Sequence, residues 1–318
     1  MILRHRSKPL PLQLIDAAIP RLPQHSKFLT ELKKDAKIRQ QGYNGEIKVD
    51  YFIDSLAPKY TILHDVYLGE NGRNFQIDSL VVADHSIFIV DSKNYTGSIT
   101  FNTILKQLTR NDGKVESGYE YPITQVENQS FHMQNWLVQH KVTGIPIYGY
   151  VAIADPSTIV KVEGNEQEIA EVVGHGATIP KMIMDKDGAM GRTGKEKLQA
   201  YQIGKIILRE CREFNINMFK HYGMRPTDIL PGVICPECKL LGMSRVHSSW
   251  ECKRCGCHSR TAHLNALSDY FLLVNDLISN SECMRFLGLN SRHAVSRILK
   301  NSNLIYYPHV RKWGKPEN

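Results

Sequence analysis

Four side chains could carry chemistry in this sequence: Glu46, Asp78, Asp91 and Lys93. Asp78 interrupts an apolar stretch formed by Ile77, Leu80, Val81 and Val82, and Asp91 follows the apolar run Ile87-Phe88-Ile89-Val90. Lys93 stands two residues further on, and residues two apart in an extended chain project from one face. If the two stretches are neighbouring strands, two carboxylates and an ammonium meet at their ends. Charges at the rim of a buried sheet are costly unless they are paired or hold a metal. Two carboxylates plus water make an ordinary oxygen site for Mg²⁺. Such an ion can activate water and offset the charge that develops on a phosphate. On spacing alone, strand-capping carboxylates with Lys93 as counter-ion are the commoner outcome.

A second group is more specific. Cys235-Pro-Glu-Cys238 and Cys252-Lys-Arg-Cys255 are two C-x-x-C knuckles. Each knuckle turns two thiolates to one side, and two knuckles close a tetrahedral site. Four thiolates favour one structural Zn²⁺ in a zinc ribbon, with no open coordination position for catalysis. Cys257, His247 and His258 are nearby substitutes, but the paired knuckles are the simpler ligand set. Basic residues and Trp250 around the knuckles could contact phosphates and bases, or simply form a solvated surface over a ribbon core.

The charge is unevenly placed. Residues 1–219 hold 26 basic and 25 acidic side chains, whereas residues 220–318 hold 14 and 7. Of the net charge of +8, +7 therefore sits in the last third, where it points to a polyanionic partner. There, Ser281 is placed to cap a short helix over 282–287. Gly288-Leu289-Asn290 follows as a turn, and Ser291 is placed to cap a helix over 292–300. Val295, Ile298 and Leu299 mark its inner face and leave Arg292, His293, Ser296, Arg297 and Lys300 outside. This pattern is similar to a helix-turn-helix, with those five residues where DNA would lie. A plain helical bundle with a basic face is the alternative. Residues 305–313 are read as an added strand or wing.

Several elements must position these groups. Residues 1–25 contain four of the 14 prolines and read as an irregular arm. A helical pattern over 26–56 is interrupted at Gly42-Tyr43-Asn44-Gly45. Strands are expected over 60–68, 75–83, 87–90, 98–101 and 147–154, with a turn at 69–72 and a helix from Pro122 to about residue 140. A long helix is expected over 195–222, a linker over 223–232 and a helix over 264–278. The domain reading is an arm (1–25), a mixed α/β domain (26–222), a linker (223–232), a zinc ribbon (233–262) and a helical module (263–318). No apolar run of 18 residues exists, so no spanning helix or membrane role is expected. The proline-broken start is a poor secretory signal, so a cytoplasmic location with reduced thiols is expected.

The words around the first group add a resemblance. Gly45-Glu46, then Asp65-Val66, then Gln76-Ile77-Asp78-Ser79-Leu80-Val81-Val82 stand in order. They are followed by Ile87-Phe88-Ile89-Val90-Asp91-Ser92-Lys93-Asn94-Tyr95-Thr96-Gly97 and Tyr121-Pro122-Ile123-Thr124-Gln125. Together they resemble the nuclease-related domain, NERD, of the PD-(D/E)XK nuclease superfamily, over roughly residues 40–155. The resemblance implies a PD-(D/E)XK-like mixed sheet flanked by helices. It implies Asp78 and Asp91 as ligands of Mg²⁺ or Mn²⁺ and Lys93 as the catalytic lysine. Glu46 is implied as a further carboxylate, and Gln76 and Gln125 as polar lining. Asp91 stands where many members carry Glu. The function implied is metal-dependent hydrolysis of DNA, with RNA as another phosphodiester the residues admit. The competing reading is a DNA-binding protein on a scaffold that does not cut.

Overall fold

The computed structural model describes residues 1–194 and 196–316. The expected helix start at Lys195 and positions 317–318 of the last module lie outside these residues. The chain opens with strand β1 (Ile2–Arg4), helix α1 (Leu10–Ala18) and helix α2 (Leu29–Ile53). Helix α2 runs through Gly42 and Gly45 without the expected interruption, because a helix tolerates single glycines at a modest cost. Strands β2 (Thr61–Glu70) and β3 (Arg73–Val82) form a hairpin whose two turn residues, Asn71 and Gly72, both have positive φ. That is the twist-compatible choice for a two-residue loop. Then come β4 (Ile87–Lys93), β5 (Ser98–Asn102), β6 (Gln107–Asn111), β7 (Glu116–Tyr119) and helix α3 (Pro122–Gln139). They are followed by β8 (Ile147–Ile153), β9 (Ile159–Glu163), α4 (Glu166–Val172), β10 (Val173–His175), α5 (Ile179–Arg192) and α6 (Ala200–Glu210).

Apart from α1 and the start of α2, these elements build the first of two compact units, Met1–Pro9 with Ile38–Phe214. Its main sheet has six strands in the order β1-β2-β3-β4-β8-β10. The β2-β3-β4 stretch is antiparallel, while β1 joins β2, and β8 and β10 join β4, in parallel. Side chains alternate between two buried layers. Val81, Phe88 and Val90 pack with Val49 and Ile53 of α2 and Ile179 and Ile183 of α5. Leu80, Val82, Ile87 and Ile89 pack on the other face with Met133, Trp136 and Leu137 of α3 and Ile203 and Ile207 of α6. The result is a mixed α/β sheet covered by helices on both faces. A smaller sheet has the order β7-β6-β5-β9.

The second unit comprises Leu10–Lys37 and Asn215–Asn318. After α7 (Met218–Tyr222) come strands β11 (Ser244–Val246), β12 (Ser249–Glu251) and β13 (His258–Ser259), which form one small antiparallel sheet. Then follow α8 (Ala262–Leu273), β14 (Leu277–Ile278), α9 (Asn280–Leu287), α10 (Arg292–Lys300), β15 (Ile305–Tyr307) and β16 (Lys312–Gly314). The last three strands pair in the order β14-β16-β15.

Several boundaries differ from the expectations. Residues 1–25 are not an irregular arm: β1 pairs with β2 in the first unit, while α1 packs in the second. Arg21 explains the docking of this segment. It is fully buried, with Nε donating to Asp269 Oδ2 at 2.9 Å and Nη1 to the carbonyls of Leu230 and Gly232. The helix expected over 195–222 is two helices, because Cys211 and Arg212 leave α6 in extended form and Arg212 bridges Tyr67. Residues 223–232 are not a free linker, since Met224 and Ile229 are buried against Leu14, Ile15 and Leu32. The helix expected over 264–278 ends at Leu273 and yields to β14. Ribbon and helical module share one core, in which Trp250, Leu267, Phe286 and Leu299 lie together. Helix α9 starts one residue before its expected cap: Ser279, not Ser281, accepts from Glu282 N, and the Glu282 carboxylate accepts from Ser279 N. Ser291 caps α10 as expected, accepting from Ala294 N.

Candidate active site and metal centre

The β3–β4 ladder ends at Ser79 opposite Val90, and the strands part beyond it. At the same point the face alternation of β3 breaks: Ile77 and Leu80, three apart, pack on the same side of the sheet. Asp78 sits at the break. Its Oδ2 accepts from the backbone N–H of Ser92 at 2.8 Å, so the carboxylate spans the opening. A similar break occurs in β2, where Leu63 and Val66 share a side and Asp65 between them has φ 52°. The charged residues thus fall where two strands depart from regular pairing.

Asp91 and Lys93 project from the end of β4 toward α3. Lys93 Nζ lies 2.8 Å from Asp91 Oδ2 and donates to Gln125 Oε1 at 2.8 Å. Asp91 is 2 % exposed. Its Oδ2 has this ion pair but no aligned hydrogen bond. Burial first, and repulsion by Asp78 second, push the Asp91 carboxyl above its ordinary value against the pull of Lys93. Burial alone would lower Lys93, but Asp91 and Asp78 outweigh it and keep the ammonium charged.

Glu46 arrives from α2. The approach requires Gly45, where a Cβ would fall 2.4 Å from the Cβ of Asn94. Asn94 Nδ2 donates to Gln41 O at 2.7 Å and Gln41 Nε2 returns a bond to Asn94 O, fastening α2 just past β4. Glu46 accepts from Arg6 Nη1 at 2.7 Å. Burial, then Asp78, raise its carboxyl above the ordinary range despite Arg6.

Arg6 organises the neighbouring groups. Its side chain is 4 % exposed. It donates to both oxygens of Asp50, at 2.6 and 3.1 Å, and to Asp78 O at 2.6 Å. Ser79 Oγ donates to Asp50 Oδ1 at 3.0 Å, and His64 lies 2.9 Å from both Ser79 Oγ and Asp54 Oδ1. This buried network braces the helix that carries Glu46 against the strand that carries Asp78.

Asp78, Asp91, Lys93 and Gln125 are therefore brought together, and Glu46 joins them through Arg6 and its response to Asp78. Gln76 is bonded to Asp65 and not to these groups: its amide donates to Asp65 Oδ1 at 2.8 Å. Arg6, Asp50 and Gln129 were not among the sequence candidates. Gln129 lies one helical turn beyond Gln125, donates to Gln76 O and opposes, without cancelling, the rise of the Asp91 carboxyl. That spacing could have found it, whereas nothing local marks Arg6.

The donors fit a hard divalent cation. Asp91 Oδ2 is a buried oxygen short of hydrogen bonds, and the Asp91 and Glu46 carboxyls are both raised, by burial first and then by the charge of Asp78, which a cation would offset. The carboxylates of Glu46, Asp78 and Asp91 are less tightly gathered than the cysteines. Among the described residues, Cys235, Cys238, Cys252 and Cys255 form the group whose ligand atoms all lie within 4.8 Å of one another. Cys235 and Cys255 sulfurs are 3.6 Å apart, as are those of Cys238 and Cys252. Four sulfurs at about 2.3 Å from one Zn²⁺ would be separated by about 3.8 Å, so the set is consistent with structural zinc. Burial pushes Cys235 up, but the N–H groups of Cys238 and Glu237 bring the thiol below its ordinary value. Cys257 stays outside the set, and its carbonyl accepts from Cys252 N. None of the seven cysteines is in a disulfide.

In α10, Arg292, His293, Arg297 and Lys300 are exposed. Ser296 is half-buried, with its hydroxyl accepting from Asn280 Nδ2 at 2.8 Å. Among the described residues, no helix is long and apolar enough to cross a membrane.

Residues 41–154 carry a nuclease-related domain, NERD, and so a nuclease-related fold. An uncharacterized protein of Bacillus anthracis is 29% identical over 112 residues, which cover 35% of this chain and 52% of that protein. The match thus spans about half the length of this relative. No solved structure matches the chain.

Proposed function

We propose that the first unit is a Mg²⁺- or Mn²⁺-dependent nuclease that hydrolyses phosphodiester bonds of DNA, and that the second unit docks it on DNA. The observation that carries the reading is the meeting of Asp78 and Asp91 at the parting of β3 and β4, with Lys93 fixed between Asp91 and Gln125. Asp78 and Asp91 would hold the cation, with Glu46 as a further carboxylate. A bound divalent cation lowers the pKa of water and offsets charge on the phosphate. Lys93, kept cationic by its two carboxylate neighbours, orients the attacking water or a phosphate oxygen. Gln125 holds Lys93 in place, and Gln76 acts one step out, through Asp65.

Docking is supported by the second unit. The order α8-β14-α9-α10-β15-β16 supports reading this part as a helix-turn-helix with a two-stranded wing. Its exposed helix carries Arg292, His293, Arg297 and Lys300, with Ser296 on its half-buried flank. One Zn²⁺ on the four cysteines would hold the ribbon in the core of this unit. A reducing cytoplasm would keep those four cysteines available to the metal.

A second reading, a DNA-binding protein with a scaffold that does not cut, is favoured by one observation. Arg6 already takes one oxygen of Glu46, Oε2, and so competes with a metal for that carboxylate. The test is incubation of the purified chain with DNA and with RNA, with and without Mg²⁺ or Mn²⁺. Cation-dependent cleavage of DNA is expected. Binding without cleavage of either polymer would favour the second reading.

A further inference from the structure

We infer that a cleft in the last module takes one unpaired nucleotide of a DNA strand, so that the module favours single-stranded over fully paired DNA. The inference rests on the docking role proposed above and deepens it by assigning strandedness. The cleft, of about 630 Å³, lies between the start of α9, the length of α10 and the β15–β16 hairpin. That volume lies in the ordinary range for a small-molecule site.

Its lining has the two chemistries of a nucleotide. Arg292, Lys300 and Arg311 supply positive charge, and no acidic residue lines the cleft. The nearby Glu282 is committed to Ser279 N and to Lys312. Among the described residues, Arg292, Lys300 and Arg311 have no ion pair, so three cations share one concavity with no internal anion. A phosphate is the natural counter-charge. Tyr306 and Trp313 supply the aromatic surface. They face each other across the hairpin, with ring centres 5.0 Å apart. Trp313 Nε1 donates to Asn280 Oδ1 at 3.2 Å, which fixes the indole before any ligand arrives. Tyr306 is 44% exposed.

An aromatic platform of this kind gains by stacking on the face of a base. Within a duplex, away from its ends, both faces of each base are already stacked on neighbours, so the platform is satisfied there only when a base leaves the stack. The cations would serve either form of DNA, but the aromatic pair would serve only the unpaired one.

The test uses the full chain and its own fluorescence. Trp136 and Trp250 are buried and Trp313 is half-exposed, so quenching by a short oligothymidylate reports on the cleft. Tyr306→Ala is expected to weaken oligothymidylate binding about tenfold and to change affinity for a blunt duplex of equal length less than about twofold. Tyr306→Phe, which keeps the ring, is expected to bind as the parent does. Arg311→Gln is expected to weaken binding of the oligothymidylate while leaving the fold intact by circular dichroism. Equal loss on duplex and single strand in Tyr306→Ala would overturn the inference and leave DNA docking standing. Unchanged single-strand affinity in that variant, or stronger quenching by oligouridylate than by oligothymidylate, would also overturn it. Failure of the parent chain to bind any DNA would remove the docking role as well.

Discussion

Arg6 Nη1 donates to the Glu46 carboxylate at 2.7 Å, so a residue of the first few positions braces a carboxylate of the candidate site from outside the nuclease-related match. The same guanidinium takes both oxygens of Asp50 and the carbonyl of Asp78. Removing one partner of a buried ion pair typically costs about 3–5 kcal/mol, because the other charge is left uncompensated. Arg6→Ala is therefore expected to lower unfolding stability by that order, read by urea denaturation. Arg6→Lys should recover only part of it, since an ammonium cannot match the bidentate fork on Asp50. A loss below about 1 kcal/mol for Arg6→Ala would mean that the network is dispensable.

Asp50 gives this network a pH dependence. Burial raises its carboxyl, but hydrogen bonds from His64 and Arg6 outweigh burial and leave it below its ordinary value. A carboxyl depressed in the folded state binds fewer protons than in the unfolded chain. Its stabilisation is present above the unfolded pKa of about 3.9 and is lost as pH falls through the lower folded value. Asp50→Asn is expected to be less stable than the parent at neutral pH. It should also lose less stability than the parent on acidification below about pH 4. Parallel stability curves for the two proteins would show that Asp50 does not titrate with folding.

The four-cysteine group predicts a metal requirement for the second unit. Cys235 and Cys252 belong to the same buried core as Trp250, Leu267 and Leu299. One zinc per chain is expected by atomic absorption. Cys252→Ser should release it and cost about 4 kcal/mol or more, as losses of structural metal do. A native protein free of zinc, with an intact melting transition, would contradict the assignment.

Docking by α10 and the wing should be sensitive to salt. If Arg292, Arg297, Lys300 and Arg311 each meet a phosphate, affinity should fall on the order of a hundredfold between about 50 and 200 mM salt. Each alanine substitution should reduce the logarithmic salt slope by about one. A flat salt response would exclude phosphate contacts as the source of binding.

Much of this arrangement is legible in the sequence, for identifiable reasons. The run Ile87-Phe88-Ile89-Val90 is apolar on both faces, and it forms the strand buried between two helical layers. The cysteine knuckles carry their own geometry in their spacing. What the sequence hides is non-local. Arg6 and Arg21 lie in a proline-rich stretch whose order depends on acceptors 40 to 248 residues away. Gly42 and Gly45 suggest a break in α2, yet Gly45 is there to admit Asn94. The turn of Gln76 toward Asp65 follows from the irregularities in β2 and β3, which a period-2 pattern does not register.

The central claim is that Asp78 and Lys93 belong to one phosphodiester-cleaving site. The most direct measurement is the rate at which supercoiled plasmid is nicked in Mg²⁺ or Mn²⁺ by the parent chain, Lys93→Ala and Asp78→Ala. Nicking by the parent is expected to be abolished by a chelator, with both variants slower by about 10²-fold or more. Undiminished nicking by both variants, or no nicking by a folded parent chain, would contradict it.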